Sequence, residues 1–451
     1  MKIIFLGGAE TVTGSKFLIE TSTTRVLVDC GLFQGYKWLR ERNWQAPPLD
    51  IDRLDAVLLT HAHLDHSGYI PVLYKNGFRG SVFTHPATRD LCAILLADSG
   101  HIQEEDARFY SRHKLSKHAH PLPLYDQATA KRAMELFETV EFDEVFSVGD
   151  ISVRFQSAGH ILGAASVIIE AEGKRVGFSG DVGRPDDIFM RPPAPLPELD
   201  LLLLESTYGN RRHGEGDPFE QLAEVVKTTA QNGGVLLIPS FAVGRAQTIQ
   251  HMLTRLINDG RIPQMPVYLD SPMAIDVSDI YCRYTRYHRL DDQQCRAMCG
   301  AITFTRDVEE SKALVNVHYP HIIIAGSGMV TGGRILHHLK RLLNDHHTTV
   351  LFTGYQAGGT RGAKMQQGVE SVKIHGQWIP NRAHIAVMDG LSGHGDYVDI
   401  EQWLQQSALA PGTAIQLVHG DPDALEGMRD HLRQKTTFNV EIAEYRKILT
   451  L

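Results

Sequence analysis

The string His61-Ala62-His63-Leu64-Asp65-His66 follows directly on Asp55–Thr60, an aliphatic run that reads as a buried strand. Histidine is common in this chain, at 23 of 451 residues, yet chance supplies only about 0.004 such strings in a chain of this size. Imidazole and carboxylate together suit zinc, with manganese or iron also accommodated. His61 and His63, two apart at a strand end, are placed to converge on one ion. Asp65 and His66 open the next turn and suit a second. Four local residues do not complete two sites, so the fold must bring other strand ends to this turn. Three candidates sit at the ends of strand-like runs beside glycine: His160 in Gly159-His160-Ile161-Leu162-Gly163, Asp181 in Ser179-Gly180-Asp181-Val182-Gly183, and His419 in Val418-His419-Gly420. Glycine neighbours allow the close backbone approach such sites need.

The rest of the chain reads as two textures. Up to Glu205 it is strand-rich: Lys2–Leu6, Phe17–Glu20, Arg25–Asp29, Ser81–Thr84, Ile151–Phe155, Ser166–Glu170, Arg175–Ser179 and Leu199–Leu204 are short and aliphatic. A mostly helical insertion fills about 86–142, and the prolines of Arg184–Pro197 exclude a helix or central strand there. After Glu205, helical patterns near 218–231, 245–258, 274–288, 308–316 and 333–343 alternate with strands Val235–Pro239, Val267–Asp270, His321–Ala325 and Thr349–Thr353, as in a parallel α/β sheet. Beyond about 366 strand texture returns at Ser371–His375, His384–Met388 and Ala414–Val418.

Charge bounds the partners. With 45 Lys+Arg against 53 Asp+Glu the net charge is −8, so any phosphate contact has to come from a local patch or from metal ions. No apolar run reaches the ~18 residues of a membrane span, and Met1–Phe5 reads as a first strand rather than a signal peptide. Five scattered cysteines argue for a reducing, cytoplasmic setting. Cys295 and Cys299 are spaced to share a helix face and are expected to be buried thiols.

In order and spacing the site candidates resemble the metallo-β-lactamase superfamily, with Asp29 of Val28-Asp29-Cys30-Gly31 matching its opening aspartate. The resemblance implies an αββα sandwich with one metal held by His61, His63, His160 and Asp181 and a second by Asp65, His66, Asp181 and His419. Asp181 would bridge the ions, and Asp29 would orient a ligand histidine. Two zinc ions, with manganese as an alternative, would share a hydroxide and lower its pKa towards ~7. Three further blocks resemble the β-CASP group: Leu204-Glu205-Ser206-Thr207-Tyr208-Gly209-Asn210, Ser392-Gly393-His394-Gly395-Asp396 and Val418-His419-Gly420. Ile238–Arg245, Asp270–Ala274 and Gly354–Ala357 are similar to its RNA-cleaving members. Gly393 stands where alanine is usual, and Arg361-Gly362-Ala363-Lys364 replaces a Gly-Arg pair.

The implied organisation is a metallo-β-lactamase domain at 1–208 and 367–451, with an inserted β-CASP α/β parallel-sheet cap at 209–366. The return lies anywhere between 366 and 392. The implied function is hydrolysis of single-stranded RNA lying between the domains, to a 5′-phosphate and a 3′-OH, with Asp65, Glu205 and His394 catalytic. A histidine held by a carboxylate can protonate the departing oxygen. Arg245, Ser327 and Gly328 are the implied phosphate contacts. Gly326–Gly333 has Thr331 at the third glycine position of a dinucleotide fingerprint, which disfavours a nucleotide cofactor and leaves an anion-binding loop at a helix start. Arg283 and Arg286, interleaved with Tyr281, Tyr284 and Tyr287 on an expected cap helix, combine stacking with charge. Arg108, Arg112, His113, Lys114, Lys117 and His118 form a second basic stretch. Endonuclease action is favoured over 5′-exonuclease action, and a homodimer stays open. The competing readings are a small-molecule thioesterase or phosphodiesterase and a non-catalytic RNA-binding subunit.

Overall fold

The computed structural model describes residues 1–46, 48–112, 121–214, 216–354, 356, 359–388 and 390–451. The chain divides into two compact units. One comprises 1–186, 190–212 and 394–451, the other 187–189 and 213–393.

The first unit is built on two seven-stranded sheets. In the first sheet the strands run in the order Ile448–Thr450, Lys2–Gly7, Lys16–Glu20, Arg25–Val28, Ala56–Leu58, Ser81–Thr84, Phe137–Thr139. In the second the order is Asn439–Ile442, Ala414–Val418, Leu201–Glu205, Lys174–Phe178, Ala165–Ala171, Ile151–Ser157, Val145–Val148. The two-residue side-chain period of a strand decides which face each residue meets. Leu201 and Leu203 join Ile3, Phe5, Val26 and Leu58 in the core between the sheets. Leu202 and Leu204 face outwards onto Ile400, Trp403 and Leu404 of the helix Tyr397–Gln406 and Met428 and Leu432 of the helix Pro422–Lys435. On the other sheet's side lie the helices Ile70–Lys75 and Pro86–Arg112, which bury Leu73, Leu91 and Leu96. This is the expected sandwich of sheets between helices.

The second unit carries a parallel six-stranded sheet, ordered Thr303–Phe304, Val267–Asp270, His321–Ala325, Val235–Pro239, Thr349–Phe352, His384–Val387. Ile322 and Ile324 pack to one face against the helices Pro218–Gln231 and Arg245–Asn258. Ile323 packs to the other, against Ile335 and Leu339 of the helix Ile335–Leu342.

Four expectations need correction. The chain leaves the second unit at His394, not at 367, because His384–Val387 pairs in parallel with Thr349–Phe352. Residues 371–380 form a separate hairpin, Ser371–Ile374 with Gln377–Pro380. The segment after 394 is more helical than stranded, carrying the two helices named above. The helix expected over 274–288 stops at Arg283, where Tyr284 (φ −113°, ψ 37°) leaves the helical region, and Thr285–Tyr287 is a short 3₁₀ turn.

Asp270 shows how a strand end is converted into a rigid junction. Ser271 caps the next helix by accepting the Ala274 N–H at 3.3 Å, and Pro272 supplies its first turn. The buried Asp270 carboxylate accepts from Thr305 (2.7 Å), Ser311 (2.6 Å), Arg334 (2.7 Å) and His338 (2.6 Å). Burial alone would raise its pKa, but the bonds from His338, Ser311, Thr305 and Arg334 outweigh it and hold the carboxyl below the usual range. Its contribution is therefore complete above the unfolded value of about 4 and is lost as pH falls through that value towards the depressed one. Asp270→Ala strands the half-buried Arg334 guanidinium and the other three donors, and is expected to cost about 3 kcal/mol at neutral pH. In urea unfolding at stepped pH, the gap between wild type and variant narrows below roughly pH 4.

Candidate metal centre

The site grows from the carboxyl ends of neighbouring strands. Arg25–Val28 and Ala56–Leu58 are parallel neighbours in one sheet, and Lys174–Phe178, Leu201–Glu205 and Ala414–Val418 are parallel neighbours in the other. Asp29, His61, Asp181, Glu205 and His419 follow or end these five strands. His63, Asp65 and His66 belong to the turn and short helix Leu64–Ser67, and His160 to the loop after Ile151–Ser157.

Two donor sets result, both within the first unit. His61 Nε2 and His160 Nε2 each lie 3.2 Å from His63 Nδ1. Asp181 Oδ2 is 3.3 Å from His61 and 3.6 Å from His160. On the other side His66 Nε2 is 3.1 Å from His419 Nε2, and Asp65 Oδ2 is 3.4 Å from His419. Asp181 Oδ1 lies 3.2 Å from His66 and 3.5 Å from His419. The seven side chains expected from the sequence thus converge, with Asp181 turned to both sets.

The donor chemistry fits cations. Ring nitrogens gathered at 3.1–3.2 Å from one another offer lone pairs to a shared cation, and Asp181 Oδ1, buried, accepts no hydrogen bond among the described residues. Burial presses His61, His63 and His160 towards neutral imidazole, His63 down to about 3. That is the form a metal takes. At Asp65 and Asp181 burial works the other way, but the adjoining histidines overcome it and hold both carboxyls down.

A surrounding web aims the rings. His66 Nδ1 meets Asp29 Oδ2 at 2.7 Å, and Asp29 also accepts the Thr60 N–H (2.8 Å) and hydroxyl (2.9 Å). Thr60 Oγ1 lies 3.0 Å from His61 Nδ1, so one aspartate fixes two histidines, one of them through a hydroxyl. Thr207 Oγ1 lies 3.1 Å from His419 Nδ1. Thr60 and Thr207 were not singled out from the sequence. Their only signal there is adjacency, one residue before His61 and two after Glu205. Gly31 has no room for a side chain, because a Cβ there would strike the Asp65 carbonyl.

Glu205 and His394 form a second device beside the first. Glu205 Oε1 accepts the Val182 N–H (2.8 Å) and meets His394 Nδ1 (3.0 Å), while Oε2 accepts the Thr207 N–H (3.0 Å). His394 Nε2 is thereby turned towards Asp181, 4.0 Å from Oδ2. Burial would lower the His394 pKa, but the charge and hydrogen bond of Glu205, with Asp181, raise it to about 9.

Arg245, Ser327, Gly328, Arg283 and Arg286 lie in the second unit. Arg245 donates to the Thr353 carbonyl. The glycine-rich loop is less open than expected. Ser327 Oγ accepts the N–H groups of Thr331 (3.0 Å) and Gly332 (3.1 Å), so two of the anion donors are spent inside the loop. Gly328 is packed against Phe241, which a Cβ would strike at 2.7 Å. Arg283 and Arg286 are exposed, Arg286 lying 4.6 Å from the Tyr287 ring centroid, while Tyr281 is buried. Arg108 pairs with Glu105 at 2.6 Å and Arg112 ends its helix. His113, Lys114, Lys117 and His118, with Tyr355 and Ala357, lie outside the described residues.

Known proteins match along nearly the whole chain. Residues 24–238 match a "Beta-lactamase superfamily domain", 246–365 a "Beta-Casp domain" and 378–443 a "Zn-dependent metallo-hydrolase RNA specificity domain". Ribonuclease TTHA0252 of Thermus thermophilus is 37% identical over 433 residues, covering 94% of each chain. The transcription termination factor FttA of Methanosarcina mazei is 30% identical over 455 residues, covering 96% of this chain and 69% of that one. An RNase J-like protein of Methanocaldococcus jannaschii is 31% identical over 92% of each. A crystal structure from Enterococcus faecalis, of a protein of unknown function, superposes with a TM-score of 0.56 at 13% identity over 100% of this chain and 99% of that one, a likeness of fold alone.

Glu205→Gln tests the second device. In metal-stripped protein His394 is expected to titrate near 9, and in the variant clearly lower because the neutral amide withdraws the charge. Histidine-resolved NMR titration reads the shift, and a His394 value unmoved by the substitution refutes the pairing.

Proposed function

Because the chain belongs to the β-CASP group of the metallo-β-lactamase superfamily, we propose that it is a zinc-dependent ribonuclease cutting single-stranded RNA internally, to a 5′-phosphate and a 3′-OH. The observation that carries this reading is the Asp181 carboxylate, set between two histidine groups with a buried oxygen that accepts no hydrogen bond among the described residues. His61, His63, His160 and Asp181 would hold one zinc ion and Asp65, His66 and His419 the other, with Asp181 Oδ1 turned to the second group as well. When bound, such a pair acidifies water and offsets charge developing on a phosphoryl oxygen.

The chain's own groups supply the rest. Asp29, Thr60 and Thr207 fix the histidine rings, so that the lone pairs facing the ions are not spent elsewhere. Glu205 favours the protonated form of His394 and occupies its Nδ1. Only Nε2–H is left to face the reacting centre, and it hands its proton to the departing 3′ oxygen. Glu205 then stays charged against the newly neutral imidazole and favours its reprotonation. In the second unit the exposed guanidinium groups of Arg283 and Arg286 add attraction for backbone phosphates, and the Tyr287 ring beside Arg286 offers a stacking surface.

Metal analysis of the purified protein should give close to two zinc ions per chain, and Asp181→Ala should release both. Chelator or His63→Ala should abolish cleavage of an end-labelled RNA. His394→Ala should keep both metals and KM while lowering kcat about 10²–10⁴-fold. Loss of kcat without loss of zinc separates proton donation from metal binding. RNA left intact by zinc-replete protein across varied sequences refutes the reading, as does a preference for acyl thioesters.

A further inference from the structure

We propose that residues 36–44 form a stacking platform for single-stranded RNA outside the histidine centre, an inference that rests on the ribonuclease reading. The helix Lys37–Arg42 and its flanks bury little besides Leu39 and Asn43. Three large aromatics stand out from it, Tyr36 at 71% exposure, Trp38 at 55% and Trp44 at 61%. Two exposed tryptophans six positions apart on one short stretch point to a binding surface, since lone apolar residues at a surface are ordinary but clustered ones are not.

The charge of the stretch chooses the occupant. Lys37, Arg40 and Arg42 against Glu41 leave +2 within nine residues of a chain whose net charge is −8. Arg42 is stacked over Tyr445 (4.1 Å to the ring centroid) and Trp38 (4.9 Å), so one guanidinium braces two rings. Rings with cations between them present π faces to bases and positive charge to phosphates, the two things an unpaired strand offers together. An acidic or apolar protein surface would use the charge or the rings, but not this alternation.

The platform is fastened to the centre. Asn43 holds Phe33 by both backbone groups, accepting its N–H at 2.9 Å and donating to its carbonyl at 2.8 Å. The loop from Cys30 to Leu32 bonds to the metal turn, Cys30 N–H to the His66 carbonyl (2.7 Å) and Leu32 N–H to the Leu64 carbonyl (2.8 Å). Buried Lys16 donates to the Gly31 carbonyl and lies 4.8 Å from the Phe33 ring centroid. A base stacked on Trp38 is therefore held at a fixed place relative to His66. The platform sets where along a long RNA the scissile bond falls, and short RNA escapes it.

The test titrates full-length, zinc-loaded protein with an unstructured oligouridylate of about twenty nucleotides and with one of about five. In a Trp378→Phe background the remaining exposed tryptophans are those of the platform, Trp403 being buried. Their emission should fall as the long oligomer binds. Trp38→Ala with Trp44→Ala should raise Kd and KM for the long oligomer at least about tenfold, the scale of one lost stack, with kcat held and the short oligomer unaffected. Trp38→Phe should keep most of the binding. Arg40→Ala should flatten the logarithmic salt dependence by about 0.7, one counterion on a single strand. An unchanged Kd in the double tryptophan variant overturns the proposal. A dimer that dissociates on the same substitution while RNA affinity holds also overturns it and assigns the face to a second copy. Platform-dependent binding of an RNA that zinc-saturated protein never cuts leaves the platform standing and removes the ribonuclease reading.

Discussion

Asp181 is the group on which the first unit turns. Its carboxylate is buried, and its neighbours are imidazoles on both sides, His61 and His160 at Oδ2 and His66 and His419 at Oδ1. A buried charge without partners is costly, and a carboxylate ringed by neutral rings with their lone pairs inwards is not a stable end point without positive charge. The carboxylate draws protons towards His66 and His419. Burial resists those protons, yet Asp181 leads the forces that hold both histidines above their usual value. Metal ions would supply the positive charge more completely, and with oriented geometry. The same residue thus ties the folding of five strand ends to the chemistry of the site.

Topology makes that convergence cheap. Parallel neighbours deliver their carboxyl ends to one edge of a sheet. Phe178 pairs with Leu203, and Glu205 with Val418, so the residues just beyond them share an edge. The remaining cost appears in the backbone. Asp29 (φ 58°) and His419 (φ 49°) adopt the left-handed conformation without being glycine. Such residues cost of order 1–3 kcal/mol each and persist where the surroundings impose them. Asp29 has the impositions in view, three side-chain bonds from Thr60 and His66. His419 donates its N–H to the Gly8 carbonyl at 2.6 Å and meets Thr207 with its ring.

Legibility in the sequence followed the range of the interactions involved. Strands with aliphatic alternation and helices with sharp ends were readable, and Val235–Pro239, Pro218–Gln231 and Arg245–Asn258 stand where the pattern put them. The metal-type residues were readable because a spaced string announces them. Strand partners are not written locally. His384–Val387 has the same texture whichever sheet receives it, so the boundary near 367 was misplaced. Thr60 and Thr207 were invisible because a threonine beside a histidine has no distinctive spacing. Their role exists only once Asp29 and His419 arrive from other strands. Ser327 is the reverse case. The loop motif suggested open anion donors, and the hydroxyl turned inward instead to satisfy Thr331 and Gly332.

A chain with a net charge of −8 can still receive a polyanion if its cations are placed where they count. At physiological salt charges are screened beyond about 8 Å, so a nucleic-acid strand responds to the nearest groups rather than to the total. Many of the acidic residues are locally spent. Asp270 is consumed by Arg334 and His338, Glu205 by His394, Asp276 and Asp279 by Arg306, and Glu220 by Arg261. Lys37 and Glu41 offset each other across one helical turn at 3.6 Å, but Arg40 is exposed and Arg42 lies against rings rather than beside an acid. The stretch 36–44 therefore carries a charge opposite in sign to that of the whole chain. Net charge, read alone, would have argued against the substrate class that the strand-end chemistry favours.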